Sequence, residues 1–363
     1  MQEGNLSATA NIAAAGPRPW RRAFRHPEPL APATRIWPIF LTYKGCPGRC
    51  VFCAQPLQSG RPAEALEHIL AGMRADLAEA AKAGKGPYEL AFYGGVFTAL
   101  PDPWPQRFLE TAAWARQAGL VTRVRCSTRP DACDPARLER LRAAGLDLVE
   151  IGAQTFVDAV LETSGRGHDA ASIRRAADAV RQAGLGLGIQ LLPGLPGHTP
   201  ADLVGDAAQT AALAPEIVRL YPCLVLPDTP LAQWYRDGRF QPWSLEVALE
   251  ALAAAVPVLW RAGARVARIG LAPEAGLVRA IVAGPWHPAL GGRVRARATA
   301  SLLAAEIRAM GGRATSLDAP RRFSGELFGH AGELVPTYAA LGLTKDAIRF
   351  SDREDFVIMG VSV

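Results

Sequence analysis

The chain reads as an α/β protein whose parallel strands are joined by helical crossovers. Three observations predict this. Strand-like and helical runs alternate six or seven times between Arg35 and about Gly270. The strand runs are nearly continuously apolar, as expected of strands covered on both faces. Glycines and polar residues gather at the C-terminal ends of those runs. Both a (β/α) barrel and an open doubly wound sheet keep their sites there, and at this level both fit.

The elements follow in order. Residues 1–33 are rich in Ala, Pro and Arg without periodicity and read as a flexible basic arm. "RIWPIFLTY" from Arg35 is the first strand. Leu66, Ile69, Leu70, Met73 and Leu77 recur at helical spacing, with Gly84 as the stop. "YELAFYGG" is the second strand, followed by a helix over Pro103 to Ala118. "LVTRVRCST" is the third, with a helix from an Asp134 N-cap to Ala144. "LDLVEIGAQ" and "LGLGIQLLPG" are the fourth and fifth, each followed by helical turns. "EIVRLYPCLV" is the sixth, and "ARVARIGL" fits a further strand. From residue 271 the pattern changes. A helix near Arg295 to Met310, then "GRATSLDAP" and "AIRFSDREDFVIMGVSV", read as a small α+β extension with a hairpin turn at Asp352–Arg353.

Composition narrows the class. The 363 residues are 49% hydrophobic and 20% charged, enough for a large core. No run is long enough to span a bilayer, and the N-terminus lacks a basic start with an apolar core. A cytoplasmic protein with no membrane partner is expected. In a reducing compartment, six cysteines point to metal or redox chemistry rather than disulfides. The net charge of +6 comes mostly from arginine, whose fork suits phosphate. No basic block stands out, so nucleic acid and a generic arginine-rich surface both remain open.

Half of the cysteines lie in "KGCPGRCVFCAQ", at Cys46, Cys50 and Cys53. Gly45, Pro47 and Gly48 let such a C-x3-C-x2-C loop fold back so that three thiolates face one centre. Three thiolates hold three irons of a cubane cluster and leave the fourth iron open for another ligand. Structural zinc would want a fourth Cys or His at short range, and the nearest His downstream, His68, falls inside a helix.

This spacing behind the first strand, with Phe52 before the last cysteine, resembles the signature of the radical S-adenosylmethionine (SAM) superfamily. "YGGVFT" after the second strand, "CSTRPD", "EIGAQT" with "SGRGH", "QLLPGLPGHT" and "LYPCLVLPDTPL" extend the resemblance to about Gly270. The series is most similar to the radical SAM half of the Elongator catalytic subunit. Some bacterial relatives there are labelled oxygen-independent coproporphyrinogen oxidase-like. The resemblance implies a partial (β/α)6 barrel over residues 34–270 with the α+β extension over 271–363. It implies a [4Fe–4S] cluster on Cys46, Cys50 and Cys53, SAM as second cofactor, and an external electron donor of flavodoxin or ferredoxin type. The reduced cluster would cleave SAM to a 5′-deoxyadenosyl radical that attacks a substrate. A tRNA base ranks first as substrate, making tRNA a partner; a small metabolite or tetrapyrrole ranks second. A non-enzymatic iron–sulfur electron carrier is the alternative outside catalysis. Two departures matter. The cysteine gap is the common three-residue one, not Elongator's longer one, and the chain ends at Val363 with no room for an acetyltransferase segment, which puts Elongator's carboxymethyluridine reaction as a whole in doubt.

The same motifs supply cofactor-binding candidates. Gly94 and Gly95 are either a plain turn or the place where backbone meets the SAM amino group. Ser127 and Arg129 suit the ribose hydroxyls or the carboxylate of SAM, or form a cap and a surface ion pair. Gln154 and Gln190 are amides in apolar strands that need partners, with or without a ligand. Arg166 is a contact to SAM or substrate, or a solvated loop residue. Gly194 and Gly197 in "LLPGLPG" allow close approach to adenine. "GLGLG" before it is a chance echo. Cys126, Cys133 and Cys223 read chiefly as small core residues, Tyr43 and Tyr221 as packing at the barrel mouth, and His287 as a capping or packing residue with an outside chance of reaching substrate.

Overall fold

The structure, a computed structural model, describes residues 18–362. The chain forms two compact units, residues 27–298 and a second made of residues up to His26 together with Thr299 onward.

The larger unit carries seven parallel strands in sequence order, curled into a half-barrel. They are β2 (Arg35–Leu41), β3 (Tyr88–Gly94), β4 (Val121–Thr128), β5 (Leu148–Gln154), β6 (Gly186–Leu191), β7 (Ile217–Leu220) and β8 (Arg265–Ile269). The label β1 is kept for Pro19–Arg25 in the smaller unit. The partial barrel is as expected, with one strand more than the six counted; "ARVARIGL" supplies it. Helices α1 (Gln55–Ser59) and α2 (Leu66–Lys82) link β2 to β3, and α3 (Trp104–Gln117) links β3 to β4. Next come α4 (Pro135–Ala143), then α5 (Asp158–Thr163) with α6 (Ala170–Gln182), then α7 (Pro200–Ala212). The last crossover holds α8 (Pro230–Arg236) and α9 (Leu245–Arg261). After β8 follow α10 (Ala275–Ala280) and α11 (Leu290–Ala309), and the unit boundary falls within α11.

Local chemistry explains these elements. In α2 the stripe Leu70, Met73, Leu77 and Ala80 is buried, with Glu67 in the first turn and Lys82 in the last, complementing the helix dipole. Asp134 caps α4 by accepting from Arg137 N at 2.8 Å. Thr199 and Asp202 form a capping box on α7. The sheet has two free edges. On β2, Pro38 blunts the edge. On β8, the Glu28 carboxylate accepts from Val266 N at 3.1 Å and Arg295 donates to Val266 O at 2.5 Å, so an acid–arginine pair stands in for a missing strand. The "GLGLG" glycines also have a structural reason. A Cβ on Gly186 would lie 2.2 Å from Glu216 Oε1, and one on Gly188 would lie 2.9 Å from Glu150 Cγ.

The strands are less purely apolar than their sequence suggests. Glu89, Arg125, Glu150 and Arg219 are all buried in the barrel.

The smaller unit is a four-stranded sheet in the order β1-β11-β9-β10, with β9 (Gly312–Pro320), β10 (Ile348–Ser351), β11 (Asp355–Ser362) and one further helix, α12 (Val335–Ala340). Three expectations change here. Residues 1–17 lie outside the described residues, but the remainder of the expected arm contains β1, which pairs antiparallel with β11 along its whole length. Phe24 stacks on Phe356 at 5.3 Å, and Gly360 makes room for the Trp20 ring. The strands on either side of Asp352–Arg353 are not a hairpin, because β9 lies between them, parallel to β10 and antiparallel to β11. The boundary expected at residue 271 falls instead at Ala298/Thr299, because α10 and the start of α11 pack with the barrel unit.

Candidate functional site

The cysteine loop leaves the C-terminal end of β2 and is stitched to the end of β3. Gly95 N donates to Leu41 O at 3.0 Å and Val96 N to Lys44 O at 2.7 Å. Two glycines make this approach possible. A Cβ on Gly95 would meet Lys44 O at 2.0 Å and Leu41 O at 2.6 Å; one on Gly45 would meet Val96 O at 2.3 Å. Farther along, Cys53 N donates to Cys50 O at 3.1 Å, and Val51 bonds Ser164 O and Leu231 N. Tyr43, at φ 61°, donates its N–H to Gln55 Oε1 at 2.5 Å and accepts from Gln55 N at its hydroxyl at 3.1 Å.

Inside this loop is a cavity of about 160 Å3. Cys46, Cys50 and Cys53 line it, as do Gly94, Gly95, Ser127, Arg129, Gln154, Arg166 and Gln190. The cofactor and metal candidates singled out from sequence are thus brought to one place, except Gly197 and Gly194. Gly194 is turned away: its φ is +83°, its position faces the Trp243 ring, and its N–H donates to His198 Nδ1 at 3.1 Å. His198 is itself held by Asp206, through Nε2 at 3.1 Å, so the strand-five loop is fixed by a buried His–Asp pair. Cys126, Cys133 and Cys223 are buried, and none lines the cavity. Burial alone pushes the Cys223 thiol up to about 12. His287 lies off this cavity and accepts from Ala289 N at 3.0 Å.

The donors fit an iron–sulfur cluster. Burial, and then the Cys50 and Cys46 charges, push the Cys53 thiol up to about 11; burial and then Cys50 raise Cys46. The burial and neighbouring charge that hold back ionisation of Cys46 and Cys53 are offset by a bound cationic metal group, which deprotonates coordinating thiols. Among the described residues no set of three or more His, Cys, Asp or Glu side chains is arranged to hold a metal ion. A cubane gives each thiolate its own iron, so it asks for sulfurs around a shared void rather than on one point.

Two arginines flank the sulfurs. Arg166 donates to Cys50 Sγ at 3.2 Å and to Gly152 O at 2.6 Å, and its buried Nε has no partner. Arg129 donates to Arg166 O at 2.5 Å and grips Asp131 with Nε and Nη2 at 2.8 and 3.0 Å. Burial opposes its charge, but the Asp131 pairing outweighs that and raises its pKa. Gln154 sits at φ 71°, uncommon for a residue with a Cβ, over Gly152, where any side chain would strike its amide at 2.8 Å.

The cavity adjoins a larger one of about 460 Å3, and Gln55, Gln58, Gly94, Ser127 and Gln190 line both. Its floor is a buried charge network that sequence reading missed. The Glu150 carboxylate takes a hydrogen bond from Gln190 Nε2 at 3.0 Å and one from the Tyr93 hydroxyl at 3.2 Å. Arg219 Nε lies 2.6 Å from Glu150 but off the N–H line, which makes a charge contact rather than a directed bond. Arg125 bridges Glu150 and Glu89 at 3.5 and 3.4 Å. Arg219 also donates to Tyr93 and to the Tyr221 hydroxyl. Burial opposes the Arg219 charge and Glu150 more than restores it, raising its pKa; burial and then Glu150 raise Tyr93. Two acids against two arginines is the balance buried charges need. The signal in the sequence was one or two charges in each apolar strand, as in "YELAF", "RVRCST", "LVEIG" and "IVRLY".

A half-barrel with a three-cysteine loop over its C-terminal mouth defines a class, and comparison with known proteins agrees. The radical SAM superfamily model matches residues 40–209 and a radical SAM C-terminal domain model matches 215–300. The chain belongs to the radical SAM superfamily and is an enzyme. Within it the chain resembles Elongator-type proteins. It is 25% identical over 264 residues to the tRNA uridine(34) acetyltransferase of Methanocaldococcus infernus, covering 61% of this chain and 49% of that protein. It is 26% identical over 185 residues to Elongator complex protein 3 of Danio rerio, covering 46% of this chain and 34% of that one. The fold is similar to that of the M. infernus Elp3 with an N-terminal deletion, with a TM-score of 0.56 at 22% identity, over 72% of this chain and 62% of that one. The chain spans about half the length, or less, of these curated relatives.

Proposed function

We propose that the chain holds a [4Fe–4S] cluster on Cys46, Cys50 and Cys53, cleaves SAM reductively, and directs the resulting radical at a tRNA base. The observation that carries this is the convergence of the cysteine loop, the Gly94–Gly95 turn, Ser127, Arg129, Gln154, Arg166 and Gln190 on one cavity that opens into a second. When bound on Cys46, Cys50 and Cys53, the cluster would supply the one-electron chemistry that cleaves the SAM sulfonium.

The chain's own residues position and shield. Arg166 Nε is a buried donor left for an acceptor of the ligand. Gln190 has its amide N–H groups on Ser127 Oγ and Glu150, so it turns its oxygen, an acceptor, to whatever fills the junction. Phe40, Pro38, Leu192 and Leu271 give the larger cavity an apolar wall. That volume suits one unstacked nucleoside, as base-modifying enzymes require. Relatives bearing a tRNA uridine name support a tRNA substrate over a tetrapyrrole. Pro47, Gly48 and Arg49 on the cysteine loop are exposed, giving an external electron donor of flavodoxin or ferredoxin type a side from which to approach. A reducing cytoplasm suits these free thiols.

The test is anaerobic reconstitution with iron and sulfide, then dithionite and SAM, with 5′-deoxyadenosine read by chromatography. Protein without iron, or with iron but without that product, overturns the reading. tRNA binding should weaken steeply with salt. No binding at low salt removes tRNA and leaves the small-metabolite substrate.

A further inference from the structure

One contact at the site has no role in holding the loop together. Arg166 lies beyond α5, far in sequence from the cysteines, yet its Nη1 donates to Cys50 Sγ at 3.2 Å. The side chain is not a surface group that happens to reach inward, since the residue is only 6% exposed. It is held from both sides. Its Nη2 is fixed on Gly152 O at the end of β5, and its own carbonyl is fixed by Arg129. A Cβ on Gly152 would lie 2.8 Å from the Gln154 amide, so any side chain here would displace that amide. The guanidinium is therefore pre-placed against one of the three sulfurs. No carboxylate contacts Arg166 among the described ion pairs, whereas Arg129 in the same cavity is paired with Asp131.

We propose that Arg166 is a positioning residue that sets the reduction potential of the cluster through its hydrogen bond to Cys50. This rests on the cluster reading above and goes beyond it. Reduction adds one negative charge to the iron–sulfur unit and its thiolates. A cationic donor on a ligating sulfur stabilises the reduced state more than the oxidised one, and so raises the potential. Cys46 and Cys53 have no arginine contact among the described hydrogen bonds; Cys53 shares its surroundings with Tyr43 and Gln55 instead. The arrangement is thus unsymmetrical: Cys50 takes a direct hydrogen bond from Arg166, while Arg129 acts on Cys46 and Cys50 through its charge alone.

The experiment uses the full chain, reconstituted anaerobically and free of SAM. Arg166→Gln should lower the midpoint potential, read by redox titration with electron paramagnetic resonance, by about tenfold in the one-electron equilibrium constant, roughly 59 mV. Arg166→Lys, which keeps the charge without the fork, should recover part of that shift. A second measurement needs no variant. Wild-type protein grown on 15N-arginine should show a 15N coupling to the reduced cluster in pulsed resonance spectra. An unchanged potential in Arg166→Gln, or no arginine coupling in the wild type, overturns the proposal even where iron and sulfide are bound in full. Should the glutamine variant take up no iron, the wild-type coupling decides alone. Wild-type protein that binds no iron at all refutes the cluster reading instead, so the two failures are distinguishable.

Discussion

Gly94 and Gly95 are neighbours in one turn, yet the structure assigns them different work, and replacing each by alanine separates the two. At Gly95 the new Cβ would stand 2.0 Å from Lys44 O, 2.6 Å from Leu41 O and 2.7 Å from Lys44 N. All three are backbone, so no side chain can swing aside. Restoring an ordinary 3.4 Å contact moves the Lys44 carbonyl by about 1.4 Å and breaks the Gly95 N to Leu41 O and Val96 N to Lys44 O bonds. Overpacking costs about 1–3 kcal/mol, and each lost hydrogen bond about 1 kcal/mol. We take about 3 kcal/mol together. With an unfolding entropy of about 2.1 cal/mol/K per residue over roughly 270 residues, that lowers Tm by about 5 °C. At Gly94 the nearest atoms are at 3.4 Å, and only its φ of +85° is strained, at a cost of about 1–2 kcal/mol and about 2–4 °C. Because Lys44 is two residues from Cys46, Gly95→Ala should also lose most of its iron after anaerobic reconstitution, whereas Gly94→Ala should keep it. The assays are calorimetry and iron–sulfide analysis. Equal Tm and equal iron in Gly95→Ala and wild type would sink the argument that this glycine serves the loop.

Further outcomes are expected elsewhere. Cys50→Ala should abolish both iron–sulfur content and 5′-deoxyadenosine formation, checked by metal analysis and chromatography. Glu150→Gln keeps the shape but leaves Arg125 and Arg219 with only Glu89 against them, so chemical denaturation should show a loss of about 3–5 kcal/mol. His168 titrates near 4, held down first by burial and then by Arg166, so the unfolded chain binds its proton more readily than the folded one. Stability from this group is present above pH 6.5 and is lost as pH falls from 6.5 toward 4. His168→Gln should flatten Tm against pH across that window and leave the neutral range unchanged.

What the sequence disclosed followed from the range of its signals. The C-x3-C-x2-C spacing is local, and so are the Asp134 cap and the stripe of α2, so all three were legible. So was the parallel strand–helix alternation, because each unit repeats the same hydrophobic pattern, whereas the choice of a half-barrel over an open sheet came from the resemblance. The Glu89–Arg125–Glu150–Arg219 network was not. Each charge is visible in its strand, but only the curl of the sheet brings the four together, and within one strand a charge reads as an interruption. The Gly95 case is similar. Strand-end glycines announce a turn, but whether the space is needed by a ligand or by the chain's own carbonyl depends on a loop fifty residues earlier. Gly194 misled for the same reason, since nothing near it in sequence foretells the Trp243 ring.

The pairing of β1 with β11 sets a timetable. Residues 19–25 are made roughly 330 residues before their hydrogen-bonding partners, residues 355–362. At ordinary elongation rates the interval is roughly 20–70 seconds. Throughout it the nascent chain carries an unpartnered strand with Trp20 and Phe24 uncovered, while the barrel, built from neighbours in order, can close as it is made. The smaller sheet therefore cannot close until residues 355–362 are made, and the stage at which a chaperone has most to guard is the wait before it.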